Sequence, residues 1–202
     1  MTSKQQNDHS SSQSAHATQL EQLSFVGGID RKLLRLHSRR TMITLSHVIE
    51  EQAALGGTAT VLIATFQRLS LYAVEAARYR RFALQFAQVY VLGVADAPVP
   101  DVPNVTVVPL ERNWPLVQEW SVIASGPQVA VGLLALDAVG FRPEQRSRSF
   151  EGLFTTDPAL IDAAVARFYA ALTLPQPAFE RDNRATSRNT EAVRRALAAR
   201  IS

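Results

Sequence analysis

The stretch ATVLIATFQRLSLYAVEAARYRRFALQFAQVYVLGV, residues 59–94, decides the fold. It begins with ATVLIATF at Ala59–Phe66, an almost uniformly apolar run that is typical of a strand covered on both faces. Aromatic and apolar residues then recur every three or four positions from about Ser70 to Phe86, which predicts a helix. The run QVYVLGV, Gln88–Val94, predicts a second buried strand. Together the three segments predict a right-handed βαβ unit with parallel strands.

Two helices are predicted before this unit. Asp30 is a suitable N-cap for a short helix that ends near His37. A longer helix is predicted from about Arg39 to Ala54, because its apolar residues recur at helical spacing, and Gly56-Gly57 ends it. Residues 1–19 are polar and rich in Ser, Gln, His and Asn. Such a segment buries too little apolar surface to offset the entropy of ordering, so we predict a disordered N-terminal tail.

The second half of the chain predicts short strands. The four candidates are Val105–Leu110, Trp120–Ala124, Val129–Leu136 and Phe150–Thr155. The turn SGPQ predicts an antiparallel hairpin between the second and third of them. A helix from Asp157-Pro158 to about Leu172 and an amphipathic helix from about Thr190 to Ile201 follow. The predicted fold class is α/β, a mixed β-sheet with a parallel βαβ start, an antiparallel meander in its second half and flanking helices.

Composition and motifs argue against several function classes. The 202 residues include no cysteine, which excludes disulfides, thiolate nucleophiles and zinc sites built on sulfur. The apolar runs are shorter than the ~20 residues of a membrane-spanning helix, and the N-terminus lacks the apolar stretch of a signal peptide, so we predict a cytoplasmic protein without a membrane partner. The sequence contains no P-loop, nucleophile elbow or glycine-rich dinucleotide motif. We therefore predict no catalytic residue, no metal site and no enzymatic activity, and the sequence assigns no cofactor.

Candidate ligand-binding residues surround the predicted βαβ unit. In open α/β sheets ligands bind outside the carboxyl ends of the strands, which makes Gln67 and Arg68 candidates for contact with an anion or an amide. The alternative is that they only cap and bridge the turn. Trp120, Phe150 and Phe154 on later strands predict an aromatic pocket. The ligand-binding candidates are Phe66, Gln67, Arg68, Tyr72, Arg78, Tyr79, Glu119, Trp120, Phe150 and Glu151.

Two glutamates, Glu119 and Glu151, stand on otherwise apolar strands. An isolated buried charge is very costly, so a carboxylate there needs a partner. The alternative to a ligand pocket is thus a network of glutamates and arginines across the sheet. The available partners are Arg78, Arg80, Arg81 and Arg148. On the predicted helix, Glu75 and Arg78 are three residues apart and are expected to form an ion pair.

Arginine dominates the basic residues of the chain. The net charge is +3, and among 21 basic residues only Lys4 and Lys32 are lysines. The candidates for contact with a partner or nucleic acid are Arg31, Lys32, Arg35, Arg39, Arg40, Arg194, Arg195 and Arg200. Arginine binds phosphate in bidentate fashion, which favours a nucleic-acid contact. The plainer interpretation, which we prefer, is a solvated face and a basic C-terminal segment.

Five segments occur in an order that resembles the DICT family, named for diguanylate cyclases and two-component systems. They are RRTMITLSHVIEEQ (39–52), ATFQRLSLYAVEAARYRRFA (64–83), VYVLG (89–93), QEWSVIASGPQVAVGLLALD (118–137) and SFEGLFTTD (149–157). Phe154 stands where the family motif has Trp. The resemblance covers residues 39–172 and implies an α/β sensory domain of bacterial signal transduction. It carries over no catalytic residue and no ligand.

Members of this family look like sensory modules joined to signalling output modules, and we recognise no output module here. We therefore expect a separate effector protein as partner, with a homodimer as an alternative. The expected division is a tail at 1–19, a DICT-like domain with the N-terminal helices at 20–175, and a basic linker with a C-terminal amphipathic helix at 176–202. The predicted function is a non-catalytic sensory or regulatory module that binds a small ligand or protein and relays to that effector. The alternatives are a nucleic-acid-associated regulator and a ligand-free scaffold or homodimer.

Overall fold

Seven strands form one mixed sheet in the computed structural model, which describes residues 19–57, 59–138 and 148–201. The strands are β1 Arg35–Ser38, β2 Val61–Arg68, β3 Gln88–Val94, β4 Val105–Leu110, β5 Glu119–Gly126, β6 Val129–Asp137 and β7 Ser149–Thr155. The longer helices are α1 Arg39–Ala54, α2 Leu69–Phe82, α3 Pro158–Ala171 and α4 Asn183–Ile201. The predicted disordered tail lies almost wholly outside the described residues.

The sheet order is β1-β7-β6-β5-β2-β3-β4. Strands β2, β3 and β4 pair in parallel, whereas β2 with β5 and all the remaining neighbours pair antiparallel. The predicted fold class is thus confirmed, including the βαβ unit β2-α2-β3 and the β5-β6 hairpin. Strand β4, which we expected to start the meander, instead extends the parallel part at the far edge.

The predicted short helix from Asp30 to His37 is wrong. Asp30 caps only a 3-10 turn at Arg31–Leu33, and the next residues form edge strand β1. The backbone of β1 pairs with β7, more than a hundred residues away, and this long-range pairing overrides the local helical signal. Helix α4 begins earlier than predicted, because the carboxylate of Asp182 accepts from the amides of Arg184 and Ala185 and caps it.

Both faces of the sheet are buried along its central strands β2, β3, β5 and β6, as the apolar runs at residues 59–66 and 88–94 predict. Leu62 and Val122 point to one face and pack with α1, α2 and α4. Ile63 and Ile123 point to the other face, against α3 and an N-terminal segment at residues 20–29. Strand residues alternate between faces, so neighbouring side chains serve different cores. In the described part of the chain, no helix is long and apolar enough to cross a membrane.

Helix α4 folds back onto α1. Its buried side chains Val193 and Leu197 join the core beneath α1. The side-chain amide of Asn189 donates to the Gln52 carbonyl at 3.3 Å, and Arg200 pairs with Glu51 at 2.6 Å. Helix α4 is therefore held against α1 from Asn189 to Arg200. Another side of α1 borders a cavity.

Candidate ligand-binding site

A bulge ends strand β2. Backbone pairing with β5 stops at Ala64, and the parallel register with β3 shifts between Thr65 and Arg68. Within this bulge Gln67 has a φ of 58°, a left-handed conformation that costs a residue with a side chain about 1–2 kcal/mol. The bulge breaks the alternation of the strand. As a result, five consecutive residues from Ala64 to Arg68 reach the same cavity.

The cavity lies between α1, α2 and the strands β2 and β5, and its volume is about 430 Å³. Pockets for small organic molecules have volumes of roughly 300–1,000 Å³. The lining residues are Arg39, Ile43, Ser46, His47, Glu50, Ala64, Thr65, Phe66, Gln67, Arg68, Ser70, Leu71, Val74, Glu75, Arg78, Trp120, Val122 and Arg148. The lining thus combines apolar and aromatic side chains with charged ones.

A buried ion-pair cluster joins α1 to α2 at one side of the cavity. The guanidinium of Arg78 donates to the carboxylate of Glu50, which is only 1% exposed, and its Nε donates to Glu75 at 2.8 Å. The hydroxyl of Tyr79 donates to the other oxygen of Glu50 at 2.6 Å. His47 Nε2 lies 3.5 Å from Glu75. The predicted pair of Glu75 and Arg78 is confirmed, as part of a larger network.

Burial governs the ionisation of this cluster. It raises the pKa of Glu50 above 4.5, although Arg78 and the Tyr79 hydroxyl oppose the shift. Burial also raises the pKa of Tyr79, and Glu50 adds to that rise. For Arg78, burial works to lower the pKa, but the neighbouring Glu50 and Glu75 outweigh it and the pKa rises. Arg78 is therefore a fixed cation, and it opposes the protonation of Glu50 that burial favours.

A second arginine crosses the end of the bulge. Arg148 donates from Nε to the buried carboxylate of Asp137 at 3.0 Å, and its Nη2 also donates to that group. The same Nη2 donates to the side-chain oxygen of Gln67 at 2.9 Å. Arginine has no acceptor atom, so this bond fixes the Gln67 amide with its oxygen toward Arg148. The start of β7 and the end of β6 thereby hold the bulge in place.

The first turn of α2 is capped by a residue that follows β3. The carboxylate of Asp96, just after β3, accepts from the Ser70 amide at 2.9 Å and the Ser70 hydroxyl at 2.7 Å. Slight burial works to raise the pKa of Asp96, but these bonds and nearby Arg68 lower it. The cap ties the bulge and the start of α2 to β3.

Trp120 forms the aromatic wall. Its indole N–H donates to the Ser46 hydroxyl at 2.9 Å, and Phe150 packs edge-on against it with ring centroids 5.2 Å apart. Phe66 lines the cavity beside it and packs edge-on against Tyr72 and Tyr79 at 5.5 and 5.7 Å. The rings behind the wall hold Trp120 and Phe66 in fixed orientations.

Two lining residues carry buried donors that have no hydrogen-bond partner within the described residues. These donors are Nε2 of Gln67, whose residue is 2% exposed, and Nη1 of Arg78. Buried polar groups are nearly always paired, and an unpaired one costs about 1–3 kcal/mol. Two of the residues that line the cavity therefore each carry an unsatisfied donor.

The predicted site residues divide into three groups. Phe66, Gln67, Arg68, Arg78 and Trp120 line the cavity. Tyr72, Tyr79 and Phe150 are buried behind its walls, where burial raises the pKa of Tyr72 to about 12. Phe154 packs against the same core, and Glu119 and Glu151 do not line the cavity.

The predicted network of Glu119 with arginines is wrong. Glu119 lies on the opposite face of the sheet from its neighbour Trp120, as strand alternation requires. Its carboxylate accepts from the Ser24 hydroxyl and from the amide of Phe25 at 3.0 Å. Burial raises the pKa of Glu119, and these bonds oppose the shift. Glu151 stands opposite Leu36 and Leu136, with no ion pair to an arginine in the described residues.

Sequence reasoning missed Glu50, Ser46 and His47 as cavity residues, and it placed Arg39 only in a partner-binding cluster. A signal was available, since Arg39, Ile43, Ser46 and Glu50 recur at helical spacing on α1. Of the other basic candidates, Arg31, Lys32, Arg35, Arg40, Arg194 and Arg195 are exposed, and Arg200 is held by Glu51.

The comparisons with known proteins bear on this geometry. A model of the DICT family, described as a sensory domain in diguanylate cyclases and two-component systems, matches residues 7–137, more than half of the chain. The chain belongs to the DICT family. The match begins before the expected Arg39 and ends at the last residue of β6, so β7 and α3 lie outside it. No curated protein and no solved structure matches.

The DICT domain is sensory by description, which supports a role in signalling. Four of the elements around the cavity, α1, β2, α2 and β5, lie within the matched residues. In the part of the chain that the structure describes, no group of histidines and carboxylates has the arrangement of a metal site.

Proposed function

We propose that this DICT domain senses a small molecule in the cavity between α1, α2 and the sheet, and that a separate effector protein receives the signal. One observation carries the proposal: an amphipathic cavity of about 430 Å³ whose lining residues include two with buried, unpartnered donors. Structural polar clusters usually satisfy all of their members. Unpaired donors in residues that line a cavity favour a ligand that supplies acceptors.

The strained backbone at Gln67 supports the same proposal. A residue with a side chain rarely adopts a φ near 58°, and such positions concentrate at ligand sites, where surrounding structure holds them. Here the bond from Arg148 and the cap of α2 by Asp96 supply that support on both sides of the bulge. The bulge presents the Gln67 amide to the cavity region in a fixed orientation.

Helix α1 offers a route for the signal. One side of α1 contributes Arg39, Ser46 and Glu50 to the cavity, and another side holds α4 through Glu51 and Gln52. A ligand shifts a conformational equilibrium only by its differential affinity for the two states. A ligand that draws α1 toward the sheet changes the position of α4, which packs on α1. The exposed arginines of α4 are then the surface that an effector contacts.

The test fills the cavity. Ile43 lines it from α1, so Ile43→Trp places a large ring there, whereas Leu84→Trp adds the same ring at an exposed site, 69% accessible, away from the cavity. We expect the small-molecule fraction of a cell extract to raise the melting temperature of the wild type and of Leu84→Trp, because a ligand stabilises the state that binds it. We expect no rise for Ile43→Trp. An equal rise in Ile43→Trp contradicts the proposed site.

The relay has its own measurement. Hydrogen exchange of the backbone amides of α4, compared with and without the same fraction, reports whether α4 responds to occupancy. We expect changed protection in α4 and in the part of α1 around Gln52 for the wild type, and no change for Ile43→Trp. A ligand that stabilises the protein while leaving α4 unchanged contradicts the relay through α1 and leaves the sensing site in place.

A further inference from the structure

We infer that the molecule bound in this cavity is an organic anion, a carboxylate joined to an apolar, ring-sized body. This inference rests on the proposed function and assigns the chemistry of its ligand. It follows from the type of the unpartnered atoms, the charges of the lining and the apolar residues of the lining.

The unpartnered atoms at the cavity are both donors. The bond from Arg148 Nη2 occupies the Gln67 oxygen, so the buried Gln67 nitrogen is the atom left over. In Arg78, Nε donates to Glu75 and Nη2 donates to Glu50, which leaves Nη1. Donors require acceptors, and a guanidinium binds an ionised acceptor more strongly than a neutral one. A ligand carboxylate offers two acceptor oxygens.

The charge of the lining favours an anion. Four arginines line the cavity, Arg39, Arg68, Arg78 and Arg148, against two carboxylates, Glu50 and Glu75. Asp137 pairs with Arg148 and Asp96 lies near Arg68, so two of the arginines are partly neutralised from behind. Arg39 forms no ion pair within the described residues and stands at the exposed start of α1. With Asp137 and Asp96 counted, four carboxylates balance the four arginines, and Arg39 is the cation of the lining that a ligand anion would pair with.

The apolar part of the lining explains the body of the ligand. Trp120 and Phe66 present aromatic surface, and Ile43, Leu71 and Val74 add aliphatic surface toward the mouth. Leu71 and Val74 are 40% and 80% exposed, which is unusual for apolar residues and leaves their surface open to a ligand. An inorganic anion would leave these apolar side chains in contact with water. A flat ring buries them, and contacts between aromatic faces add to the gain.

Three probe molecules test the charge and the ring of the proposed ligand separately. The probes are 2-naphthoate, its neutral counterpart 2-naphthamide, and acetate, each titrated into the full-length protein by calorimetry at neutral pH. We expect 2-naphthoate to bind at least about tenfold more tightly than 2-naphthamide, because a charged hydrogen bond is stronger than a neutral one. Acetate, which lacks the ring, is expected to bind more weakly than 2-naphthoate by a still larger factor.

Two matched variants locate the binding. Gln67→Met keeps the length of the side chain and removes the unpartnered donor, and Gln88→Met makes the same change on β3, where Gln88 donates to Asn104 and Thr106 outside the cavity. We expect the affinity for 2-naphthoate to fall severalfold in Gln67→Met and to stay at the wild-type value in Gln88→Met. Melting curves of both variants establish that each is folded before titration.

Each outcome decides a separate point. Equal binding of 2-naphthoate and 2-naphthamide, both lost in Ile43→Trp, overturns the anionic class and leaves the proposed sensing site standing. Undetectable binding of 2-naphthoate overturns the assignment of the ligand. Binding of 2-naphthoate that survives in Ile43→Trp overturns the assignment, since the anion then lies elsewhere, and it also counts against the cavity as the sensing site. The inference is supported if the protein prefers 2-naphthoate to 2-naphthamide and if Gln67→Met reduces that preference.

Discussion

Replacing Arg78 by methionine removes the cation from the buried cluster and keeps most of the side-chain length. The carboxylate of Glu50, 1% exposed in the wild type, then keeps the Tyr79 hydroxyl as a donor. Removing one partner of a buried ion pair typically costs 3–5 kcal/mol, and we expect Arg78→Met to lose about that much. Domains are stable by roughly 5–15 kcal/mol, so urea unfolding measures such a loss easily.

Glu50→Gln supplies the other side of a double-mutant cycle. Arg78 keeps its bond to the half-exposed Glu75 in that variant, and the amide still accepts from Tyr79. We therefore expect a smaller loss, about 1–3 kcal/mol. The double variant should lose less than the sum of the two single variants, because no charge is stranded. Arg81→Met, an exposed change on the same helix, is the control and should stay within about 0.5 kcal/mol of the wild type.

The pH dependence of Arg78→Met gives a second check. Folding raises the pKa of Glu50 above its ordinary 4.5, so its contribution is fully present below 4.5 and is lost as the pH rises through the folded value. Without Arg78 the folded pKa rises further and this loss grows. The destabilisation of Arg78→Met should thus be largest at neutral pH and shrink toward pH 4.5. A variant that unfolds like the wild type at neutral pH, or whose loss is independent of pH, refutes the reasoning.

Two further predictions concern the other contacts of the sheet and of α4. Glu119→Leu removes the acceptor for the Phe25 amide, and the N–H left without a partner should cost about 1–3 kcal/mol of stability, measured by urea unfolding. Residues 20–29 should also become sensitive to limited proteolysis. If they stay protected, Glu119 does not anchor this segment to the sheet. Leu197→Ala opens a cavity under α4 and should lower the free energy of unfolding by about 2–5 kcal/mol, with faster hydrogen exchange in α4. If the α4 amides exchange as in the wild type, α1 does not hold this helix.

The central sheet could be predicted because its signal is local. The runs at residues 59–66 and 88–94 are apolar at almost every position, which is typical of a strand buried on both faces. The helix between them is marked by its own spacing of aromatic residues. The edge strand β1 could not be predicted in this way, since Arg35–Ser38 are largely exposed and become a strand only by pairing with β7.

The site was predictable in part for the same reason. Residues at the carboxyl end of β2 follow from the position of a parallel strand, so Gln67 and Arg68 could be found. The partners of Glu119 could not be predicted, because they are the Ser24 hydroxyl and the backbone N–H of Phe25, and no sequence signal places that distant segment against β5. Glu50 is a different case. Its place in a helical stripe was visible, but its pairing with Arg78 depends on how α1 packs against α2.

The measurement that tests the central claim most directly is affinity selection by the cavity itself. The wild type, Ile43→Trp and Leu84→Trp are each incubated with the small-molecule fraction of a cell extract, separated rapidly by gel filtration and denatured, and the released molecules are identified by mass spectrometry. We expect one or a few molecules, carboxylates among them, to be enriched by the wild type and Leu84→Trp and absent from Ile43→Trp. The absence of any molecule that the wild type retains and Ile43→Trp does not would contradict the cavity as a sensing site.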